Sequence, residues 1–205
     1  MLAPLELDPM HRAKGVTIDP TDSLLLTAEY IQAEDRMLLD EQGGRTWNTV
    51  LGMRGVEIRE GSGEQGYFEM RIVGGGHVVI GLAARTVNLE FILGFGRGCL
   101  GWHQGGGINS NRIQRKDMVN FSLGYQQMGL NFGINDVVGL MVDCTDVPTL
   151  RFFKNGVQVH SMVVVKEGYG QVLYPAFCPI ASSAIIHPNL PACKIQIAFN
   201  PDLPI

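Results

Sequence analysis

Charge is scarce in this sequence. Asp, Glu, Lys and Arg make up 18% of its 205 residues, against about a quarter in ordinary soluble domains. Positive charge is the scarcer kind, with 16 Lys and Arg against 20 Asp and Glu, a formal net charge of −4. A protein that grips the phosphate backbone needs a basic face, so this balance argues against nucleic acid as a partner. One local exception is NRIQRKD, which holds Arg112, Arg115 and Lys116. No aromatic accompanies these charges to stack a base, and a solvated loop is the favoured reading.

Cysteine is sparse as well. Cys99, Cys144, Cys178 and Cys193 are far apart and form no C-x-x-C pair, which removes the usual zinc and thioredoxin-type arguments. They read as small apolar residues of strands in a reducing compartment. The sequon at Asn120-Phe121-Ser122 is then a coincidence. No apolar run approaches the ~20 residues of a membrane helix. The opening MLAPLELDPM has neither a basic nor an apolar leader region. The expectation is a soluble protein of the cytoplasm, with the nucleus as the alternative, and with no metal and no cofactor.

Glycine, by contrast, is plentiful, at 26 residues. Each glycine inside a helix costs roughly 1 kcal/mol relative to alanine, whereas sheets joined by tight turns use it freely. Residues 1–20, with Pro4, Pro9, Gly15 and Pro20, read as an extended arm, and residues 21–205 as a single domain. The stretch from Asp22 to Gly44 has a helical composition. Its apolar groups, Leu24 to Leu26 and Met37 to Leu39, suit two short strands, and strands are expected because everything downstream is β.

Downstream, period-2 alternation dominates. In GYFEMRIV, Phe68, Met70 and Ile72 face one side while Tyr67, Glu69 and Arg71 face the other. GGGHVVIGLAA reads as a mostly buried strand, and NDVVGLMVD as one buried on both faces. Asn155-Gly156 lies between two β-rich runs, and such a pair prefers the type I′ hairpin turn. CKIQIAFN sets Ile195, Ile197 and Phe199 against Lys194, Gln196 and Ala198. About ten such segments between residues 55 and 200 indicate an antiparallel sandwich or barrel.

Gly96, Gly98 and Gly101, in GFGRGCLGWHQGGG, spell the G-x-G-x-x-G of a dinucleotide-binding turn. That turn must open a helix whose N-terminus holds the pyrophosphate. Here Gly105, Gly106 and Gly107 follow, at a cost to any helix of about 3 kcal/mol. The segment reads instead as a strand around Leu100 to His103, a glycine turn and a second strand from Ile108.

The order GYFEMRI, VVIGLAA, LGWHQGGG, NDVVGLMVD, LRFFKNG, LYPAFCPI and KIQIAFN resembles the SPRY domain family. The resemblance covers roughly residues 55 to 200. It does not extend to the N-terminal arm, to Arg112–Lys116 or to the long stretch IASSAIIHPNLPA. It implies an all-β fold, a two-sheet antiparallel β-sandwich of jelly-roll (concanavalin-like) architecture with little or no helix. It further implies a module without enzymatic activity that docks a protein or peptide partner on a loop-built surface, as an adaptor or scaffold subunit. Such loops vary on a rigid scaffold. In family members that bind short peptides, the loop matching Arg85, Thr86 and Asn88 lines the pocket. Arg can make a two-point contact with a carboxylate. Trp102 and His103 in the glycine hairpin, then Asn109, Asn111 and Arg112 after it, complete the candidate partner-binding set. Gln126, Gln127 and Asn131 form a weaker one. A core position competes for Trp102, and an ordinary surface polar role for His103. The charge reversal Arg85→Glu is expected to weaken partner binding without unfolding the domain.

Two other functions compete with this one. A carbohydrate-binding sandwich could use Trp102 as a stacking platform beside Asn109 and Asn111. A Cys–His–Asp enzyme could be drawn from Cys144, His160, Asp143 and Asp146. Their spacing fits no nucleophile motif, and no helix N-terminus stands by to lower the thiol pKa. Asp143 and Asp146 read better as turn caps.

Overall fold

Alternating apolar residues in many short segments require a surface of paired strands buried on one face, and the computed structural model of the chain has two such surfaces. It describes residues 7–13, 16–19, 25–28, 45–75, 77–89, 93–94, 98–111, 130–164, 169–182 and 193–198. All elements among these are strands.

Sheet A runs β1 (Leu7–Arg12), β5 (Val50–Gly52), β14 (Val172–Ser182), β8 (His77–Ala83), β9 (Cys99–His103) and β10 (Ile108–Asn111), with β4 (Arg45–Trp47) and β6 (Val56–Glu57) also paired to β14. Sheet B runs β13 (Val157–Val163), β12 (Thr149–Lys154), β11 (Val137–Asp143), β7 (Gln65–Ile72), β15 (Cys193–Ala198), β3 (Leu25–Ala28) and β2 (Val16–Ile18). Every pairing is antiparallel. This is the expected all-β, two-sheet antiparallel sandwich. The strand expected at Leu24 to Leu26 is β3, while Met37 to Leu39 lie outside the described residues. Of the expected N-terminal arm, the described residues supply β1 to one sheet and β2 to the other.

The main core lies between the sheets. Phe68, Met70 and Ile72 of β7, Leu140 of β11 and Phe152 of β12 face Ile80 and Leu82 of β8, Trp102 of β9 and Phe177 of β14. Tyr67 stands on the opposite face of β7, as the alternation predicts, yet it is buried with Met141 and Phe153 in a cluster of its own. Its ring meets Phe153 edge-on at 5.6 Å and its hydroxyl donates to Glu69. The outer side of sheet B is therefore partly self-covered rather than wholly solvated.

β14 shows how sequence shapes pairing. On one side it pairs continuously with β8 from Tyr174 to Ile180. On the other side it meets three short strands in turn: β6 at Val172 and Leu173, β5 at Ala176 and Phe177, and β4 from Ile180. Pro175 and Pro179 fall at the two breaks. Proline has no N–H to give a ladder, so the neighbour must stop and restart there.

The turn at Asn155-Gly156 has φ of 51° and 78°, the double left-handed backbone of a type I′ hairpin. In the glycine-rich stretch, β9 and β10 pair around residues 104–107, with Asn109 opposite Gly101 and Asn111 opposite Cys99. No helix follows. Gly101 instead makes room for a loop, because a Cβ there would collide with the Leu93 carbonyl. Its bare backbone lets the loop after β8 lie on the outer face of sheet A. Leu93, with Val87 and Leu89, there covers Leu51, Val79, Ala83, Cys99, Ala176 and Cys178.

Candidate functional site

The loop leaving β8 alternates like the strand before it. Val87 and Leu89 turn onto the outer face of sheet A, while Thr86 and Asn88 are exposed. Arg85 begins this loop and joins four parts of the chain. Its Nη1 donates to Oδ2 of Asp8 at 2.7 Å and lies 2.9 Å from Nδ1 of His11. Its Nη2 donates to the Met53 carbonyl at 3.1 Å, and its guanidinium lies 4.5 Å from the centre of the Tyr174 ring. Cation and ring attract in this geometry.

Asp8 and His11 reach Arg85 because β1 is bulged. It registers with β5 only at Leu7 opposite Gly52 and Arg12 opposite Val50. The residues between leave the ladder and close on themselves, with the Met10 amide donating to Oδ1 of Asp8 at 2.9 Å. Burial pushes the Asp8 carboxyl upward, but the Met10 amide, Arg85 and His11 outweigh it and hold the group below its ordinary value. Asp8 therefore stays ionised against Arg85. Met10 stands at the crest of the bulge, 85% exposed, and Met53 on the other side of Arg85 is 49% exposed.

The remaining candidates do not converge on this place. Trp102 has no exposed surface. Its ring meets Phe132 and Phe152 edge-on at 4.9 and 5.6 Å, and its Nε1 donates to the Leu130 carbonyl at 3.0 Å. It is a core residue, not a surface contact, and an indole without an exposed face cannot be a sugar platform. His103 faces away from Trp102 as expected, but it is half-buried beneath the loop after β8 rather than a surface polar group. Burial drives its pKa down to about 4, against a weak opposing hydrogen bond with the Leu93 backbone. Both residues pair with β8 at Ile80 and Val79, while Ala83 at the Arg85 end pairs with Cys99. Three or four residues of strand, about 10–13 Å, separate them from that end. Asn111 lies at the Arg85 end of β10 and Asn109 two residues farther in. Arg112, Arg115, Lys116, Gln126 and Gln127 lie outside the described residues. The Asn131 carbonyl accepts from Lys154 Nζ at 2.7 Å.

The Cys–His–Asp set is not assembled. The Cys144 thiol lies 3.8 Å from the Glu57 carbonyl, and burial raises its pKa. The His160 ring packs against Phe152. Asp143 accepts from Gln65, from Arg151, and from both the amide and the hydroxyl of Thr145, so it does cap the turn. All four cysteines are buried and outside any disulfide; Cys99, Cys178 and Cys193 lie in strands and Cys144 just follows one.

The SPRY domain family model matches residues 65–192, more than half of the chain. The chain belongs to the SPRY domain family. Its fold is similar to a crystal structure of a human SPRY domain, at 18% identity and a TM-score of 0.60 over 93% of this chain and 98% of that one. It is similar also to the TRIM65 PSpry domain, at 13% identity and a TM-score of 0.59 over 96% and 93% of the two chains. Stonustoxin contains the same fold in 27% of its chain, at 12% identity and a TM-score of 0.53 over 96% of this one. No curated protein sequence matches. SPRY domains are in general protein–protein interaction modules and are typically not enzymes.

Asp8, Met10, His11, Met53 and Tyr174 were not among the residues expected at this SPRY domain's site. Tyr174 lies within the Leu-Tyr-Pro motif, which carried a signal for the fold. The others gave no local sign.

Proposed function

We propose that this SPRY domain is a non-enzymatic adaptor or scaffold subunit that docks a peptide or a partner protein on the Arg85 end of sheet A. The observation that carries this reading is a fixed guanidinium flanked by exposed loop and apolar side chains, namely Thr86, Asn88, Met10 and Met53. Buried apolar contact supplies affinity in such sites, and a few polar groups set register. Four buried thiols outside any disulfide suit a reducing compartment, and the cytoplasm or nucleus is the proposed location. Within the family, GLAARTVNLEFILGFGRG resembles the small stand-alone proteins called SPRY domain-containing protein 7.

Arg85→Glu is a poorer probe than the sequence suggested, because it sets a second carboxylate against Asp8. Thr86→Arg with Asn88→Arg changes the exposed side of the loop and leaves Arg85 and Asp8 in place. In crosslinking and affinity purification from cells that make the protein, the wild type should retain partner proteins that the double variant loses, with melting temperatures matching. Equal retention would move the docking surface elsewhere. Saturable binding on a glycan array, with no protein retained, would support the carbohydrate alternative instead.

A further inference from the structure

The charged side chains beside the two exposed methionines are nearly all of one sign. Arg12 closely follows Met10, Arg54 follows Met53, and Arg85 lies between. Arg12 and Arg54 are exposed, although Arg12 anchors one nitrogen on the Val16 carbonyl at 2.9 Å. The one acid among them, Asp8, is 5% exposed, and its two oxygens are taken by the Met10 amide, His11 and Arg85. Among the described residues the other acids near in sequence are Asp19, after β2, and Glu57, Glu60 and Glu64 of the β6–β7 turn, where the Glu64 carboxylate takes the Glu57 amide at 3.0 Å. On a chain of net charge −4, the exposed charges next to Met10 and Met53, those of Arg12 and Arg54, are both positive.

Exposed thioethers offer a soft, adaptable apolar surface. Cations around it attract and align a segment of opposite charge. The matching chemistry is an apolar side chain flanked by carboxylates. We propose that the β1 bulge and the residues after β5 bind an acidic peptide segment with an apolar anchor. The anchor sits against Met10 and Met53, and the carboxylates meet Arg12 and Arg54. Arg85 is a positioning residue here: held by Asp8, His11, Met53 and Tyr174, it fixes the bulge so that Met10 projects. This proposal rests on the interaction-module reading above and names the chemistry of the partner.

The test uses the full chain and two short fluorescein-labelled peptides, each with a central Leu-Phe pair flanked by Asp and Glu in one and by Lys in the other. Fluorescence anisotropy should show the acidic peptide binding at least about tenfold tighter, and weakening as salt rises from about 50 to about 300 mM. Met10→Asp and Arg54→Glu should each weaken it by about tenfold while leaving the melting curve in place, since both side chains are exposed. Equal binding of the two peptides, no binding of either, or unchanged affinity in both variants overturns the proposal. If the acidic peptide fails while Thr86→Arg with Asn88→Arg still releases cellular partners, only this proposal falls. If that double variant also releases nothing, the docking reading of this end falls with it.

Discussion

At the scale of single residues, His103 links burial to protonation. Its ring is held neutral because burial disfavours the imidazolium, and its pKa is about 4 in the fold. The unfolded chain takes the proton first, near the ordinary value of about 6.5. This contribution to stability is therefore full above about pH 6.5 and is lost as pH falls toward 4, by up to about 3 kcal/mol. His160, lowered by burial as well, acts in the same direction. Urea denaturation at pH 7, 6 and 5 should show the wild type weakening over this range and a His103→Phe variant weakening less. Parallel loss in the two proteins would show that His103 is not responsible. The neutrality of His103 was not legible in the sequence, because the Leu93 backbone that meets it comes from the loop after β8 and not from its own hairpin. Arg85 was legible as a loop arginine. Its partners Asp8, His11 and Met53 lie 77, 74 and 32 residues away, and no local pattern announces contacts at such distances.

At the scale of elements, the sequence carried more. Strand faces follow period 2 wherever one face is buried, which is why β7 and β15 could be read directly, whereas β8 and β11 were legible as nearly continuous apolar runs. The β12–β13 hairpin was readable for a different reason: two successive left-handed residues admit few side chains, and Asn-Gly satisfies both. The Asn155 side chain adds what sequence could not supply, accepting from the Val137 amide at 2.9 Å and donating to Asp136 at 2.8 Å. Gly156→Ala forces a Cβ onto a backbone at φ 78°, a strain of about 1–2 kcal/mol. No atom lies near that Cβ, so backbone strain alone should set the loss seen in chemical denaturation. A loss well below 1 kcal/mol would mean that the turn relaxes into another type. β14 was readable as a strand, but its prolines gave no hint that three separate neighbours would share its second side.

At the scale of the whole molecule, the N-terminal segment clips the two sheets together. β1 joins sheet A, β2 joins sheet B, and between them Ala13 is buried and donates its amide to the Thr49 carbonyl at 2.7 Å. Composition suggested an arm; the pairing that ties it down is long-range and invisible to local pattern. Arg85→Glu should loosen this clip by leaving Asp8 almost buried beside a like charge. A loss of about 2 kcal/mol is expected, between the values for exposed and buried ion pairs. Hydrogen exchange would locate it: amides of residues 7–12 should lose protection while those of β8 and β11 keep theirs. Uniform loss would mean that β1 cannot come away separately.

The position of the last strands has a consequence in time. β14 stands between β5 and β8, and β15 between β3 and β7. A ribosome adding roughly 5–20 residues per second delivers β3, β5, β7 and β8 several seconds before the strands that sit between them. The nascent chain therefore cannot zip up from its beginning. It waits with apolar strand edges open until residues 172–198 have emerged, and a chain cut short before Val172 lacks an interior strand in each sheet.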